Sequence, residues 1–531
     1  MTYLRNTIKA VGLALAVSAA SLTASASAGE PNPGGTLNVT SVSKWRTLNP
    51  AVQSGSATGI PGSQIFAGLL RVDDKFNPQP YLAESWDVSA DGKSITFHLH
   101  KNATFHDGKP ITSEDVAFSL ASAKANHPFG KTMFATVESV ETPDANTVIF
   151  VLSAPSPALL ASLQPLLMPI LPKHIFGDGQ ELKTHPRNNL DVVGSGPFMV
   201  AEHKLGESLV LVKNPNFFLE GRPYLDKIVI TTSRNATTQV LELDRGGIHY
   251  FPFAFLTDRD LKRLSKNPKL AVFTGGHEAL GPVTYLELNL RKEPYNDVRV
   301  RQAIASAFDY AKATVLLGNG FGQSKSFIHS GSPFYNSNLK GYSQDLTKAA
   351  ALLDEAGLVL DSNGVRFTMV LDMPTYAKDR QEVLSETLKQ SLRQIGIIVE
   401  LRKSPDFGSW VKRVTSFEYE ATLSGIWGYS DPVIGVHRLF KCDNIRSVIW
   451  TNTAGYCNPD VDAALNEAAT TFDFAKRKAA YDRFQEIISV DLPLIPLTDS
   501  PTNTVYSAKL KNIPIHGWGA LSPWDEVYFE K

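Results

Sequence analysis

Several features that mark enzymes and membrane proteins are absent from this sequence. It contains neither a G-x-S-x-G nucleophile elbow nor an H-E-x-x-H zinc-binding helix, so two common hydrolase patterns are missing. The formal net charge is only -1, which gives no electrostatic attraction to nucleic acid or anionic lipid. Beyond residue 28, no run of residues is long and apolar enough to cross a bilayer. At 531 residues the chain is too long for one hydrophobic core, and we expect two or three domains.

Histidines give no persuasive metal site. His98 and His100 lie two residues apart in a predicted strand and would face the same side of it. A third ligand at a suitable spacing is missing, so we interpret them as ordinary strand residues. We expect no metal ion and no other cofactor.

Cysteine is scarce. The chain has two, Cys442 and Cys457, which lie close together in the sequence. In an exported protein such a pair predicts a disulfide, and closing this loop stabilises the fold by about 3 kcal/mol. Two reduced buried thiols are the alternative. A metal site is disfavoured because the interval contains no histidine.

The N-terminus has the pattern of a secretory signal. Arg5 and Lys9 form a short basic region, an apolar run follows at residues 10–20, and Ala26-Ser27-Ala28 is an A-x-A cleavage site. An organelle-targeting peptide is disfavoured because the apolar run is not interrupted by repeated arginine. No cysteine for lipid attachment lies near the cleavage site. We therefore expect residues 1–28 to be removed and the mature protein to be free in the periplasm, without a membrane anchor.

Helical and strand-like patterns alternate in the second half of the chain. Helices are predicted at 299–312, 346–356 and 380–394, and the last two are each followed by a strand-like run, at 367–371 and 397–401. This order predicts an α/β domain with a mostly parallel sheet. The first half is richer in β-structure, so we expect two architectures in one chain.

An ordered series of motifs resembles solute-binding protein family 5, which holds the receptors for dipeptides, oligopeptides, nickel chelates and opines. The motifs cover nearly the whole mature chain, and their order makes the resemblance specific. They are YLAESW at 81–86, FHDGKPITSEDV at 105–116, GSGPF at 194–198, NPNFF at 214–218, DVRVRQAI at 297–304, ALLDEAG at 351–357, GYCNPDVD at 455–462 and DLPLIP at 491–496.

The resemblance implies an α/β periplasmic binding protein fold of two lobes, type II and cluster C-like, with an extra α+β subdomain. Lobe I would comprise residues 29–75, 190–285 and 495–531, and residues 76–189 would form its extra subdomain. Lobe II would comprise residues 286–494. Such a protein closes on its ligand like a hinge, which suits a receptor that must bury a soluble ligand and later release it.

One segment of lobe II is the leading candidate for ligand contact. Residues 425–432 offer a strand edge, two aromatic rings and a carboxylate, and the ligand-contacting residues that we predict there are Ile426, Trp427, Gly428, Tyr429 and Asp431. In dipeptide and oligopeptide receptors, which this chain resembles, the equivalent segment pairs with the ligand backbone and an aspartate holds the ammonium group. Asp431 occupies that position here. The alternative is that Asp431 begins a turn and Trp427 belongs to the core.

Further candidates lie elsewhere in the chain. Trp45 and Arg46 stand where members of the family project residues from lobe I into the cleft, although Trp45 equally suits a domain interface. Arg380 and Arg413 are candidates to hold a ligand carboxylate, because guanidinium binds carboxylate in a bidentate manner. The alternative for both arginines is a solvated helix position.

The resemblance predicts a non-enzymatic receptor of an ABC importer. Its partners would be a small-molecule or short-peptide ligand, captured between the lobes, and the permease and ATPase subunits of the transporter. We expect a monomer that binds no nucleic acid. An opine or another amino-acid conjugate is the alternative ligand. A periplasmic hydrolase and a chaperone for unfolded polypeptide are the alternatives from other functional classes.

Overall fold

The structure, a computed structural model, describes residues 31–531 apart from 42, 234 and 319. The expected signal peptide, residues 1–28, lies outside the described residues. The strands are β1 (Thr36–Ser41), β2 (Leu70–Val72), β3 (Pro78–Pro80), β4 (Ala83–Val88), β5 (Ser94–Leu99), β6 (Val137–Asp144), β7 (Thr147–Leu152), β8 (Phe198–Lys204), β9 (Ser208–Lys213), β10 (Lys227–Thr232), β11 (Tyr250–Phe251), β12 (Leu270–Thr274), β13 (Val283–Leu288), β14 (Gly322–Gln323), β15 (Phe367–Met373), β16 (Ile397–Lys403), β17 (Ala421–Ile426), β18 (Leu494–Asp499), β19 (Asn503–Ser507), β20 (Leu510–Lys511) and β21 (Tyr528–Phe529). The α-helices are α1 (Ser56–Ile65), α2 (Ser113–Asn126), α3 (Gly130–Met133), α4 (Pro157–Ser162), α5 (Lys173–Phe176), α6 (Ala236–Arg245), α7 (Asp258–Leu264), α8 (Val298–Ala307), α9 (Tyr310–Leu317), α10 (Leu346–Glu355), α11 (Lys378–Arg393), α12 (Phe407–Thr415), α13 (Pro432–Gly435), α14 (His437–Phe440), α15 (Pro459–Ala469) and α16 (Phe474–Asp491).

Three larger sheets organise the described residues. A seven-stranded sheet, in the order β12-β19-β11-β1-β10-β9-β8, forms lobe I, and a six-stranded sheet, in the order β14-β18-β13-β17-β15-β16, forms lobe II. The extra subdomain contains a four-stranded antiparallel sheet in the order β4-β5-β7-β6. Its strand β5 alternates half-buried and buried residues, as a sheet with one covered face requires.

Two chain crossings connect the lobes. Residues 275–282 lead from β12 to β13, and residues 500–502 lead from β18 back to β19. The limits of lobe II, 286 and 494, stay a prediction, and both fall within strands that meet the crossings, β13 (Val283–Leu288) and β18 (Leu494–Asp499). Both strands extend to the crossings because they pair with each other along their length, and this pairing leaves no mark in the sequence.

Strand direction decides which sheet edges face each other. In lobe I, β1 runs parallel to β10 and β11, while in lobe II β15 runs parallel to β16 and β17. The crossings leave lobe I at the carboxyl edge of β11 and enter lobe II at the carboxyl edge of β17. The loops that follow these parallel strands therefore converge on the space between the lobes.

Helix boundaries follow local capping chemistry. A capping box between Thr112 and Asp115 begins α2, as the acidic first turn in the sequence indicates. The helix predicted over 299–312 is two helices, α8 and α9, because the chain becomes extended at Phe308 and Asp309 then caps the amide of Lys312.

Apolar residues form one cluster that lobe I shares with the extra subdomain, and separate clusters on the two faces of the lobe II sheet. Tyr429 and Ile434 of lobe II belong to the lobe I cluster, so the two lobes are in contact. Within the described part of the chain, no helix combines the length and the hydropathy needed to cross a bilayer.

Candidate functional site

The two crossings form the base of the candidate cleft. The amide of Gly275 donates to Thr502 O at 2.9 Å, and the amide of Ser500 donates to Pro282 O at 2.9 Å. The two crossings lie where the parallel strands of both sheets end, which is the position at which open α/β sheets bind ligands.

His277 joins the crossings to the C-terminal segment of lobe I. Its Nε2 accepts the amide proton of Ala520 at 3.2 Å, so Nδ1 carries the proton and donates to Thr502 Oγ1 at 3.1 Å. Burial, together with the nearby His516, lowers the pKa of His277 to about 3. The imidazole is therefore neutral at physiological pH, and its two hydrogen bonds hold the second crossing against the C-terminal segment.

The predicted segment of lobe II closes against the first crossing. The amides of Gly428 and Ser430 donate to Leu280 O and Ala279 O, both at 2.5 Å, which continues the β13–β17 pairing beyond the sheet. Tyr429 and Ser430 both have positive φ, at 52° and 63°. A non-glycine residue costs about 1–3 kcal/mol in this conformation, so surrounding contacts must hold the loop in place.

Aromatic contacts hold that loop between the lobes. Trp427 lies parallel to Phe253 of lobe I, with ring centroids 6.3 Å apart. Tyr429 is 3% exposed, and its ring centroid lies 5.2 Å from that of Phe129 and 6.0 Å from that of Trp518. These contacts join lobe II to the extra subdomain and to lobe I, so the lobes are closed at this point.

A cavity of about 20 Å³ remains beside the loop, lined in part by Gly428, Ser430, Glu278 and His329. Small-molecule sites usually measure about 300–1,000 Å³. A ligand therefore reaches this part of the cleft only when the lobes separate.

Asp431 is engaged within lobe II. Its carboxylate accepts two hydrogen bonds from Arg477 Nη2, at 3.0 and 2.8 Å, and also caps the amide of Val433. Asp431 is 7% exposed and Arg477 is 6% exposed. Although burial opposes it, the charge of Asp431 raises the pKa of Arg477. The carboxylate that was predicted to hold a ligand ammonium thus has a buried cation of its own.

Arg413 is engaged in the same way. It pairs with Asp372, a fully buried residue near the end of β15, and Arg402 binds the same carboxylate at 2.8 and 2.6 Å. Two guanidinium groups share this one carboxylate. Arg413 therefore has a carboxylate partner near the carboxyl edge of the sheet, but it shares the single charge of that partner with Arg402.

Arg380, in the first turn of α11, has a different environment. Its guanidinium donates to Ser500 Oγ on the second crossing and to Thr284 Oγ1 at 3.4 Å. No carboxylate among the described residues forms an ion pair with it. Burial lowers its pKa, which the neighbouring Tyr376 only partly opposes. A cation held by hydroxyl groups at the cleft base leaves its charge available to an anion.

The other predicted residues occupy varied positions. Trp45 is 2% exposed and its indole N–H donates to His203 Nε2 at 2.8 Å within lobe I, while the side chain of Arg46 is exposed. Ile426 ends β17 in the lobe II core, and Gly428 lines the small cavity. The structure thus brings Arg380, Trp427, Gly428 and Tyr429 to the base of the cleft.

Sequence reasoning missed several residues of this site. Arg438 is 4% exposed, and its guanidinium carbon lies 4.1 Å from the Phe129 ring centroid and 6.0 Å from that of Tyr429. Among the residues that the structure describes, its donors reach only the backbone carbonyls of Gly435 and Trp450. Phe253 and Trp518 were missed as well. No local motif marks these positions, because their neighbours are distant in sequence.

The predicted disulfide is confirmed. Cys442 and Cys457 are bonded and close a loop with a sequence separation of 15. Trp450, within the loop, accepts from Arg438, and Thr453 Oγ1 donates to the buried Glu287 at 2.5 Å. The loop therefore helps to position Arg438, which lies in the wall of the cleft.

In the part of the chain that the structure describes, no three or more His, Cys, Asp or Glu side chains come together in a way that could hold a metal ion. His98 lies 3.4 Å from Asp87 and His100 lies 3.7 Å from Glu84, as separate pairs on the exposed side of the subdomain sheet.

The chain belongs to the bacterial extracellular solute-binding proteins, family 5, whose model matches residues 77–447. It is 26% identical over 472 residues to the dipeptide-binding protein of Escherichia coli, with 85% of each chain covered. A solved structure of the ABC transporter-associated periplasmic binding protein DppA from Helicobacter pylori, in complex with the peptide STSA, matches with a TM-score of 0.81 and 26% identity over 94% of this chain and 99% of that one. The structure of AgaA from A. tumefaciens R10 with agropinic acid matches with a TM-score of 0.80 and 26% identity, over the same shares.

These similarities confirm both the family that the motifs indicated and the two-lobed α/β fold. The family and its structural neighbours are binding proteins, and the similar Helicobacter pylori protein is named as associated with an ABC transporter. The similar proteins were solved with chemically different ligands, so similarity alone leaves the ligand of this chain to be argued from its own cleft.

Proposed function

We propose that this protein is the periplasmic receptor of an ABC importer and captures a short peptide whose carboxylate is held by Arg380. The unpaired guanidinium of Arg380 at the base of the cleft carries this proposal. Keeping a partly buried cation without an anion costs free energy, and a ligand carboxylate would recover it through charge-assisted hydrogen bonds. The Ser500 and Thr284 hydroxyls would fix the plane of the guanidinium for that contact.

The other predicted charges support this assignment by contrast. Asp431 and Arg413 each have a buried partner of opposite charge, so neither gains as much from a ligand charge. Displacing such a partner would leave an uncompensated buried charge, which is strongly unfavourable. Arg380 is therefore the best-suited ligand anchor among the predicted side chains.

The balance of charges in the cleft favours an opine as the second candidate ligand. Two cations of the cleft wall, Arg380 and Arg438, lack an ion pair with any described residue, whereas the acid of the predicted segment, Asp431, is neutralised. A ligand with more carboxylate than ammonium groups suits this balance. AgaA, which has a similar structure, was solved with agropinic acid.

The receptor would act by binding alone and then deliver its ligand to a permease and ATPase in the inner membrane. The contacts of Tyr429 and Trp427 across the cleft support a closed state that a permease could distinguish from the open one. We expect a monomer, since the transporter must engage both lobes of one receptor.

Native mass spectrometry of protein purified from the periplasm tests this proposal, because mild denaturation releases any bound molecule for identification. A thermal-shift panel of short peptides, their C-terminally amidated forms and opines accompanies it. Stabilisation by ligands with a free carboxylate, without turnover, is the expected result. Mutable hydrolysis of the panel would indicate the periplasmic hydrolase instead, and affinity for long unfolded chains alone would indicate a chaperone.

A further inference from the structure

A second cavity lies within lobe II, apart from the cleft between the lobes. Its volume is about 410 Å³, within the usual range for small-molecule sites. It opens between the edge strand β14, the start of α10 and the end of α16. None of the residues at the base of the cleft contributes to its lining.

The charge around this cavity is mostly positive. Lys325, Lys340 and Lys348 line it, and no ion pair joins any of them to a described carboxylate. The only acidic side chain in the lining, Asp345, accepts the amide proton of Lys348 as the N-cap of α10. The N-terminal end of α10, a helix of ten residues, adds a partial positive charge on the same side.

A tyrosine that is mostly buried also lines the cavity. Tyr310 is 6% exposed and lines the cavity, and its hydroxyl has no hydrogen-bond partner among the residues that the structure describes. Burial, together with the nearby Tyr342, raises the pKa of Tyr310, so the group is a neutral donor at physiological pH. This hydroxyl is therefore available to donate to an acceptor atom of a bound molecule.

Hydrogen bonds fix the position of Tyr342 in the wall of the cavity. Tyr342 donates through its hydroxyl to Ser489 O at 3.2 Å, and the Gln323 amide donates to Tyr342 O. The Lys348 ammonium lies 6.0 Å from the Tyr342 ring centroid. One wall thus carries a fixed aromatic ring with a cation beside it.

We propose that this cavity is a second binding site, for a small multivalent anion such as a di- or tricarboxylate or a phosphate compound. The lysines would supply the charge and the Tyr310 hydroxyl a directed hydrogen bond. Because the lining includes α16 and β18, which leads directly to the second crossing, an anion here contacts the elements that support the hinge.

Isothermal titration of the mature protein with citrate, and separately with inorganic phosphate, tests the site at low ionic strength. Lys340→Gln/Lys348→Gln should weaken binding of the effective probe by about fivefold or more, while the control Lys389→Gln/Lys476→Gln, with the same net charge change at exposed positions, should change it by less than about twofold. Tyr310→Phe should also weaken binding, and salt should reduce it in the wild type. Arg380→Gln should leave it unchanged.

Three outcomes would overturn the proposal. The wild type could fail to bind either probe at millimolar concentration, or the cavity and control variants could lose affinity equally. Loss of binding in Arg380→Gln would place the anion in the cleft between the lobes. A failed peptide or opine panel, in contrast, bears on the proposed function and leaves this second site untouched.

Discussion

The guanidinium carbon of Arg438 lies 4.1 Å from the centroid of the Phe129 ring, and this contact joins lobe II to the extra subdomain. Burial lowers the pKa of Arg438 to about 10, so the side chain is still a cation at neutral pH. A desolvated cation–π contact contributes about 2 kcal/mol. The extra subdomain is therefore part of the closing surface.

Phe129→Ala should weaken ligand affinity by about tenfold, because a contact made only in the closed state adds its free energy to ligand binding. Titration calorimetry with the ligand released from the purified receptor measures this change. Phe118→Ala, in α2 of the same subdomain, is the control and should retain affinity. Wild-type affinity in Phe129→Ala would show that the contact persists when the lobes open.

Asp431→Asn should destabilise the protein rather than abolish ligand binding. The substitution leaves Arg477 as a buried cation without its anion, which costs about 3–5 kcal/mol. Urea unfolding compares it with Asp482→Asn, which breaks the half-exposed Lys478 pair on α16 and should cost less than about 1 kcal/mol. A fully stable Asp431→Asn protein that no longer binds ligand would instead support the predicted ammonium-binding role.

The disulfide should stabilise the fold through its loop. Replacing Cys442 and Cys457 together by serine should lower the free energy of unfolding by about 3 kcal/mol, since the unfolded chain regains the freedom of the closed loop. Denaturant unfolding of the double variant and of the reduced wild type measures this, and the two should agree. An undiminished free energy of unfolding would contradict a structural role for the bond.

Glu287 predicts a specific pH dependence. Burial raises its pKa, although hydrogen bonds from Thr453 and Tyr419 and the charge of Arg291 oppose the shift. The folded state therefore binds this proton more tightly than the unfolded state. The stabilisation that results is complete below the unfolded pKa and is lost as pH rises through the higher folded pKa.

Glu287→Gln removes that loss, so the stability of the variant relative to wild type should rise between about pH 4 and pH 7. Thermal unfolding across this range measures the difference. The control Glu386→Gln, at an exposed position on α11, should show a constant difference. A constant difference in Glu287→Gln as well would mean that the carboxyl group titrates normally.

The architecture could be predicted from the sequence much better than the ligand site. Ordered motifs predicted the family and its fold, and the pattern of aromatic and turn residues at 425–432 located a loop that does meet lobe I. The contrast between Arg380 and Arg413 could not be predicted, because it depends on Ser500 and Asp372, which are distant in sequence. The partner of Asp431 is likewise 46 residues away, on α16.

The proposed function depends on the contact between Arg380 and the carboxylate of the ligand. Titration calorimetry measures the affinity of wild type, Arg380→Gln and Arg413→Gln for a peptide ligand and for its C-terminally amidated form. Changing the arginine and the ligand carboxylate separately and together forms a double-mutant cycle for their contact. Arg380→Gln should weaken binding of the free acid by about 30-fold or more and of the amide much less, while Arg413→Gln should stay within about threefold of wild type. Equal affinity of wild type and Arg380→Gln for the free acid would show that Arg380 does not hold the ligand carboxylate.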